Sequence, residues 1–239
     1  MSKFKLSLTG NQLKIIAMIS MVLDHVGLVF FPEVELFRIL GRIAFPIYAY
    51  MIAEGCAHTK NRKKYLGTIL GMGILFQLVY LIFMGDIYQG ILITFSLSIG
   101  LIYAIEGFIN TKNPVYRALM CSIIAFIIFY GVVCPYIFGE YGFAIDYDVW
   151  GIILPVFIYF APTKLSKLFF TTAVLVTMAF FNAPRQFFAL VSVLLLALYN
   201  GERGKLKMKY FFYIFYPLHL VIIYGIMIAI NILNRGGTL

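Results

Sequence analysis

The segment KIIAMISMVLDH, residues 14–25, places two ionisable side chains, Asp24 and His25, inside an apolar stretch. This stretch continues for about 20 residues, which is enough to cross a bilayer as a helix. Ionisable side chains are energetically costly inside a membrane, so those found there are functional candidates by default. The segment therefore predicts a transmembrane helix that carries part of a functional site.

The spacing of Lys14 and His25 adds a second observation. They are 11 positions apart, which returns the helix to within about 20° of the same face and separates the two residues by about 16 Å along the axis. A cation and an imidazole on one helix face fit a long substrate with an anionic head at one end and a reactive group at the other. The spacing alone leaves open the alternative of a surface anchor lysine above an unrelated buried histidine.

The composition indicates a polytopic membrane protein. Hydrophobic residues are 62% of 239 and charged residues only 12%, with a mean hydropathy of +0.95, which exceeds what a soluble domain needs. We attribute the net charge of +9 to basic cytoplasmic loops, and we expect no nucleic-acid partner. Cys56, Cys121 and Cys134 lack a metal-binding spacing, so we expect small buried residues and no metal site.

Apolar runs between polar, Gly or Pro breaks predict an all-α membrane helix bundle with about nine transmembrane helices. We expect one domain over residues 1–239. Because Asp24 and His25 interrupt the first run and no small-residue cleavage site follows, we expect a retained helix rather than a signal peptide. The predicted spans are 12–32, 36–58, 64–84, 90–109, 115–138, 146–161, 164–182, 185–200 and 208–233.

The basic residues predict the orientation of these spans. Of the 19 Lys and Arg, all but Arg38, Arg42, Arg185 and Arg235 fall on one side of the predicted membrane. Since cytoplasmic loops carry the excess of Lys and Arg, the N-terminus is predicted to be cytoplasmic and the C-terminus extracytoplasmic.

With that orientation, polar residues of both signs gather in the outer half of the membrane. They either pair structurally, for example Asp24 with Arg38 or Arg42, or line a wet functional cavity. Two histidines and a carboxylate beside one of them favour the functional interpretation. The residues concerned are Asp24, His25, Arg38, Arg42, Asp146, Asp148, Arg185, Gln186 and His219.

Basic residues also cluster at the predicted cytoplasmic surface. Most residues of this kind set the topology and attract anionic lipid headgroups; the alternative is a docking site for a phosphorylated ligand. The cluster comprises Lys14, Lys60, Arg62, Lys63, Lys64, Arg203 and Lys205.

Several motifs give the sequence a resemblance to the TraX family of conjugation-associated membrane proteins, over nearly its whole length. The motifs are Leu13–Ala17, Met21–Gly27, Arg38–Pro46, Asp146–Pro155, Tyr199–Gly204 and Tyr210–His219. The resemblance implies an acetyltransferase, because the founding member of the family acetylates the N-terminal amine of a pilin subunit. The chain is similar, more distantly, to the transmembrane acyltransferase superfamily, whose first helix carries a basic residue, ten intervening residues and a histidine. Lys14 and His25 match that pattern.

This resemblance implies an acyltransferase in the cytoplasmic membrane of a bacterium. We expect acetyl-CoA or another acyl-CoA as the donor, with its phosphates bound by Lys14 and the basic loops. His25 would act as general base, with Asp24 orienting its ring or stabilising its protonated form. Arg38, Arg42 or His219 would stabilise the oxyanion.

The expected acceptor is an amine or hydroxyl of a peptide, glycan or lipid at the outer half of the membrane. Asp146, Asp148, Arg185 and Gln186 are the candidate acceptor-binding residues. Two other classes remain open: a transporter that uses Asp24, His25 and His219 as a proton relay, and a noncatalytic scaffold.

The orientation can be tested with single cysteines introduced after Lys64 and after Asp86. Because the positive-inside rule places the first site in the cytoplasm and the second outside, a membrane-impermeant thiol reagent applied to intact cells should label only the second. Labelling of both sites from outside would contradict the predicted orientation.

Overall fold

The computed structural model describes residues 7–85, 87–181, 184–205 and 208–236. Within these ranges, seven helical segments are long and apolar enough to cross a membrane, and two apolar segments are shorter. Two of the seven, Glu35–His58 and Pro114–Tyr141, consist of consecutive helices rather than one. The predicted all-α membrane bundle is confirmed, and each of the nine predicted spans corresponds to one of these segments. Asp86, which entered the orientation test, lies outside the described residues.

The helices are numbered α1 to α11 in chain order. Their bounds are α1 Gly10–Phe30, α2 Glu35–Gly41, α3 Ala44–His58, α4 Arg62–Met84, α5 Ile91–Asn110, α6 Pro114–Ile128, α7 Cys134–Phe138, α8 Asp148–Phe160, α9 Lys164–Phe181, α10 Val191–Ala197 and α11 Lys209–Gly236. A π-helical turn joins α6 to α7, and a 3₁₀ segment at Pro184–Leu190 precedes α10.

The second predicted span is broken rather than continuous. Helix α2 ends at Gly41 and α3 begins at Ala44. Pro46 lies at the start of α3, and it lacks the N–H that would bond the Arg42 carbonyl in an uninterrupted helix. The sixth and eighth spans lie where they were predicted, as the shorter segments Asp148–Phe160 and Pro184–Ala197. Helix α8 has 13 residues, about 20 Å, against a hydrocarbon core of about 30 Å.

The chain divides into two compact units, and each is described by itself. The first contains the chain up to Tyr48 and from Leu175 onwards; the second is the continuous segment Ala49–Val174. The expectation of a single domain stays a prediction.

In the first unit, the start of α1 is fixed by a loop that precedes α11. The Gly10 and Asn11 amides donate to the carbonyls of Glu202 and Arg203, at 2.8 and 3.0 Å. Thr9 and Gln12 form a capping box that binds further backbone amides at the start of the helix. The first turn of α1 thus has partners for the N–H groups that a helix start leaves free.

Helix α1 packs closely on α2 through two glycines. A side chain at Gly27 would meet Phe37, and a side chain at Gly41 would meet Asp24. At this contact, the Ser20 hydroxyl donates to the carbonyls of Leu40 and Gly41, at 2.5 and 3.2 Å. It thereby binds carbonyls that the end of α2 leaves without helical partners.

In the second unit, α5 lies against α4, α6 and α8. Leu101, Ile127 and Ile152 form a buried apolar cluster between α5, α6 and α8. The backbone of Gln89 pairs with the segment before α8: its amide donates to Ala144 (2.7 Å), and its carbonyl accepts from Asp146 (2.9 Å).

The close approach of α1 and α2 predicts that Gly41→Ala destabilises the protein by about 1–3 kcal/mol, because the added methyl overlaps Asp24. The matched control is Gly71→Ala in α4, where nothing lies within 4 Å of an added side chain. That change should stabilise by about 0.5–1 kcal/mol, since alanine favours the helix. Thermal unfolding in detergent measures both; equal midpoints for the two variants would contradict the packing described.

Candidate active site

His25 on α1 and His219 on α11 form the centre of the site. Their ring centroids are 5.1 Å apart with an interplanar angle of 74°, so the structure brings together two residues that lie at opposite ends of the sequence. The ring of Phe215 stacks on His219 at 5.2 Å from the other side. The two imidazoles thus meet edge to face inside the first unit.

Both histidines have the same ring nitrogen bound to the backbone. Nδ1 of His25 lies 2.8 Å from the Met21 carbonyl, and Nδ1 of His219 lies 3.0 Å from the Phe215 carbonyl. Since a carbonyl only accepts, each Nδ1 is the donor, and in the neutral imidazole the lone pair is on Nε2. Both rings therefore present Nε2 as a base.

His219 is the more deeply placed of the two. It is 5% exposed, and its Nε2 has no hydrogen-bond partner among the described residues. A buried polar atom without a partner costs about 1–3 kcal/mol. Such an atom indicates a site that is completed by something other than the described side chains.

Asp24 belongs to a different contact from its neighbour His25. Consecutive side chains on a helix diverge by about 100°, and Asp24 faces α2, where its Oδ1 lies 3.0 Å from Nη1 of Arg38. The two side chains are 20% and 23% exposed. This oxygen accepts no well-aligned hydrogen bond despite the short separation, so the contact is an ion pair more than a directed bond.

The expectation that Asp24 orients the His25 ring is therefore wrong. The Met21 carbonyl holds Nδ1 of His25, and the carboxylate of Asp24 pairs with Arg38. The structure contains instead the ion pair that the structural alternative predicted. Asp24 acts on Arg38, and through Arg38 it fixes α2 against α1.

Arg42 follows the end of α2 and is half-buried. It makes no ion pair with a described residue, and its buried Nε has no hydrogen-bond partner among them. Arg38 is held by Asp24, whereas Arg42 retains a guanidinium that can bind an anion. Of these two arginines, one is thus neutralised by a carboxylate and the other is available.

Lys14 and His25 contact the same neighbouring helix. Nζ of Lys14 lies 5.3 Å from the ring centroid of Phe212, seven residues before His219 on α11. Because α1 is unbroken between Lys14 and His25, the predicted separation of about 16 Å holds. The face of α1 identified from spacing is the face that contacts α11.

Arg203 lies near the same end of α1. Its carbonyl accepts from Asn11, and its guanidinium is near enough to the Lys14 ammonium for their charges to interact. Lys205 follows as an exposed residue. The structure thus brings Lys14 and Arg203 together as predicted, at the end of α1 remote from His25.

Two other predicted residues of the first unit lie in the 3₁₀ segment before α10. Arg185 pairs with Glu35 at 2.8 Å, and both side chains are more than half exposed. Gln186 is 7% exposed, and its Oε1 has no partner among the described residues. Of these two, Gln186 has the free buried group that a substrate could bind.

The remaining predicted residues belong to the second unit. The carboxylate of Asp146 accepts from the Tyr88 hydroxyl at 2.9 Å, and its carbonyl accepts from Thr94 at 3.0 Å. These bonds give Asp146 a structural role at the start of α8. Asp148 is exposed.

The basic donor-binding candidates of the second unit lie near the start of α4. Arg62 pairs with Glu106 at 2.8 Å, while Lys60, Lys63 and Lys64 are exposed.

Two polar groupings of the second unit were not predicted from the sequence. Glu106 accepts from Arg62 and, through its other oxygen, from the Tyr159 hydroxyl at 2.9 Å. Lys167 pairs with Glu54 at 2.5 Å. The sequence carries a signal for both groupings, because each carboxylate interrupts an apolar run. The partners of the carboxylates could not be predicted, because they depend on which helices pack together.

No group of three or more His, Cys, Asp and Glu side chains placed to hold a metal ion occurs in the described part of the chain. The arrangement in the first unit can instead perform acid–base chemistry: two Nε2 bases, one available guanidinium and a basic group at the far end of one helix face.

Comparisons with known proteins identify the family of the chain. The family model described as TraX protein matches residues 9–227. The chain belongs to the TraX family. The resemblance drawn from the motifs is thereby confirmed, and the match includes Lys14, His25 and His219.

Two relatives extend the comparison. The chain is 27% identical to "Probable fimbrial assembly protein FimC, serogroup H1" of Dichelobacter nodosus, over 89% of this TraX-family chain and 93% of the relative. It is 47% identical to an uncharacterised protein of Rickettsia prowazekii over only 38 residues, 16% of this chain and 15% of that one. No solved structure matches the chain.

The Asp24–Arg38 contact predicts a non-additive mutant cycle. Asp24→Asn and Arg38→Gln should each destabilise by about 2 kcal/mol, because each leaves a mostly buried charge without its partner. The double variant should recover at least half of the summed loss. Reversible unfolding in detergent measures the cycle.

Arg185→Gln is the control for that cycle. It removes an exposed pair, which typically contributes less than about 1 kcal/mol. Additive effects of the two changes at Asp24 and Arg38 would show that the charges do not interact.

Proposed function

We propose that this TraX-family protein is a membrane-embedded acyltransferase. It transfers an acetyl or other acyl group from cytoplasmic acyl-CoA to an amine or hydroxyl acceptor at the outer half of the membrane. The observation that carries the proposal is the contact between the rings of His25 and His219, whose Nδ1 atoms are bound to backbone carbonyls, together with Lys14 on the same face of α1 as His25. Family membership supports the same reaction class.

The reaction is written for an amine acceptor. Its nitrogen attacks the thioester carbonyl while Nε2 of His25 takes one of its protons. The tetrahedral intermediate collapses, the carbon–sulfur bond breaks, and the departing thiolate receives the proton from His25. The products are an amide and free CoA, and no metal or redox partner is required.

His219 and Arg42 have separate roles in this scheme. His219 presents a second lone pair beside His25, so it can share the transferred proton before the thiolate leaves. Arg42, which has no carboxylate partner among the described residues, stabilises the negative oxygen of the intermediate. Arg38 is neutralised by Asp24, and these two are positioning residues.

Donor binding follows from the charges at the start of α1. Lys14, Arg203 and Lys205 bind the phosphates of acyl-CoA, and an extended arm of about 16 Å reaches from Lys14 to His25. Lys60, Arg62, Lys63 and Lys64 of the second unit are additional phosphate-binding candidates. In the structure, Arg62 already shares its charge with Glu106.

The acceptor is a peptide amine, or a hydroxyl of a glycan or lipid. The relative named as a fimbrial assembly protein supports a pilus-associated role and a peptide acceptor. Gln186, with its buried free carbonyl oxygen, is the best supported of the acceptor-binding candidates. Arg185, Asp146 and Asp148 are weaker candidates, because the first two are engaged and the third is exposed. We place the protein in the cytoplasmic membrane.

His25→Ala is the decisive variant. It should reduce acyl transfer by about 10²–10⁴-fold, which is the typical contribution of general-base catalysis, while leaving CoA binding intact. His25→Gln should be nearly as inactive, since glutamine preserves hydrogen bonding but not basicity. Thioester cleavage by purified protein in detergent, measured with acetyl-CoA, gives the rate.

His58→Ala is the matched control, because His58 is an exposed histidine of the second unit. It should retain full activity. His219→Ala should lose as much activity as His25→Ala if the two rings share the proton, and little activity if His219 is only structural. Near-native turnover by His25→Ala would refute the mechanism and favour a transporter.

A further inference from the structure

A polar cleft in the second unit does not contain the two histidines of the proposed site, although its lining residue Arg62 is also a candidate for binding the donor phosphates. It has a volume of about 260 Å³ and opens between the start of α4, the end of α5 and the start of α6. Its lining residues are Arg62, Glu106, Gly107, Asn110, Thr111 and Tyr116. These helix ends carry the basic loops that predict the cytoplasmic surface.

Several basic residues are next to the lining of this cleft in the sequence. The only carboxylate in its lining, that of Glu106, is paired with Arg62 at 2.8 Å. Three further cations directly follow lining residues in the sequence: Lys63 after Arg62, Lys112 after Thr111 and Arg117 after Tyr116. Arg117 donates from Nε to the carbonyl of the lining residue Thr111 at 2.8 Å, and its guanidinium lies over the Phe108 ring at 5.6 Å, so its charge is held beside the lining.

The lining also offers neutral donors. The Asn110 side chain makes no hydrogen bond with a described residue, and Tyr116 is 46% exposed. An amide NH₂ and a phenolic hydroxyl both donate to phosphate oxygens. The cleft therefore suits an anionic, oxygen-rich headgroup.

Exposed apolar residues lie next to the cleft lining in the sequence, and we call them its rim. Ile109, Val115 and Leu119 are 61%, 77% and 52% exposed, and they flank the lining residues on α5 and α6. In a membrane-spanning helix, exposed apolar side chains of this kind face acyl chains. A soluble anion would not use this rim, whereas a lipid would occupy both surfaces at once.

We propose that this cleft binds the headgroup of an anionic phospholipid at the cytoplasmic surface. Basic pockets between transmembrane helices recognise such headgroups by charge and hydrogen bonding. The headgroup phosphate receives hydrogen bonds from Asn110 and Tyr116 and the charge of Lys63, Lys112 and Arg117. The acyl chains lie along Val115 and Leu119.

The test is native mass spectrometry of the full-length protein in detergent, titrated with phosphatidylglycerol or with phosphatidylcholine. Phosphatidylglycerol should bind the wild-type protein at lower concentration. The double variant Lys63→Gln with Lys112→Gln should bind it roughly 30-fold more weakly, since each basic residue near an anionic surface contributes roughly a factor of five. Phosphatidylcholine binding should not change.

The matched control is Lys60→Gln with Lys164→Gln, which removes two cations of the same unit outside the cleft lining and its neighbours. It should retain phosphatidylglycerol binding to within a factor of two. A second variant, Asn110→Leu, keeps the net charge and should also weaken binding, because leucine cannot donate to the phosphate. Thermal unfolding without lipid checks that each variant is folded.

Equal affinity for the two lipids, or equal losses in the two double variants, would overturn the proposal. Displacement of phosphatidylglycerol by CoA would also overturn it and assign the cleft to the acyl donor. Because lipid binding is measured without turnover, it can fail while the acyltransferase proposal stands, and the reverse also holds.

Discussion

The structure of the first unit depends on one constraint: the polar side chains of α1 must find partners on other helices. Lys14 and His25 contact α11, Asp24 contacts α2, and Ser20 donates to carbonyls at the end of α2. In lipid, each of these groups would be left without water or a partner, at a cost of several kcal/mol. The packing of α1 between α2 and α11 follows from this requirement.

The same constraint separates the roles of Asp24 and His25. Adjacent residues on a helix point about 100° apart, so one helix can direct a carboxylate to one neighbour and an imidazole to the other. Asp24 neutralises Arg38 and leaves Arg42 as the available cation of α2. The backbone, rather than a side chain, then fixes the proton position on His25. Helix α1 thus carries its ion-paired carboxylate, Asp24, and its imidazole, His25, on different faces.

Much of this could be predicted from the sequence because hydropathy and helical spacing are local properties. The apolar runs, and the shared face of Lys14 and His25, required no knowledge of tertiary contacts. The His25–His219 contact could not be predicted, because it joins residues at opposite ends of the chain and depends on α1 packing against α11. The break before Ala44 had a signal in Pro46, but the apolar run continues through it. The partners of Glu54 and Glu106 depend on helix packing, which periodicity does not specify.

The division of the chain has a consequence for its biosynthesis. The second unit is one continuous segment, Ala49–Val174, whereas the first combines both ends of the chain. Asp24 and Arg38 emerge close together from the ribosome, so their ion pair can form early. The partners of Lys14 and His25 on α11, and the carbonyls of Glu202 and Arg203 that complete the start of α1, are synthesised last. A nascent chain therefore inserts its first helix before the partners of Lys14 and His25 exist, and the proposed site is assembled only when translation reaches the final helix.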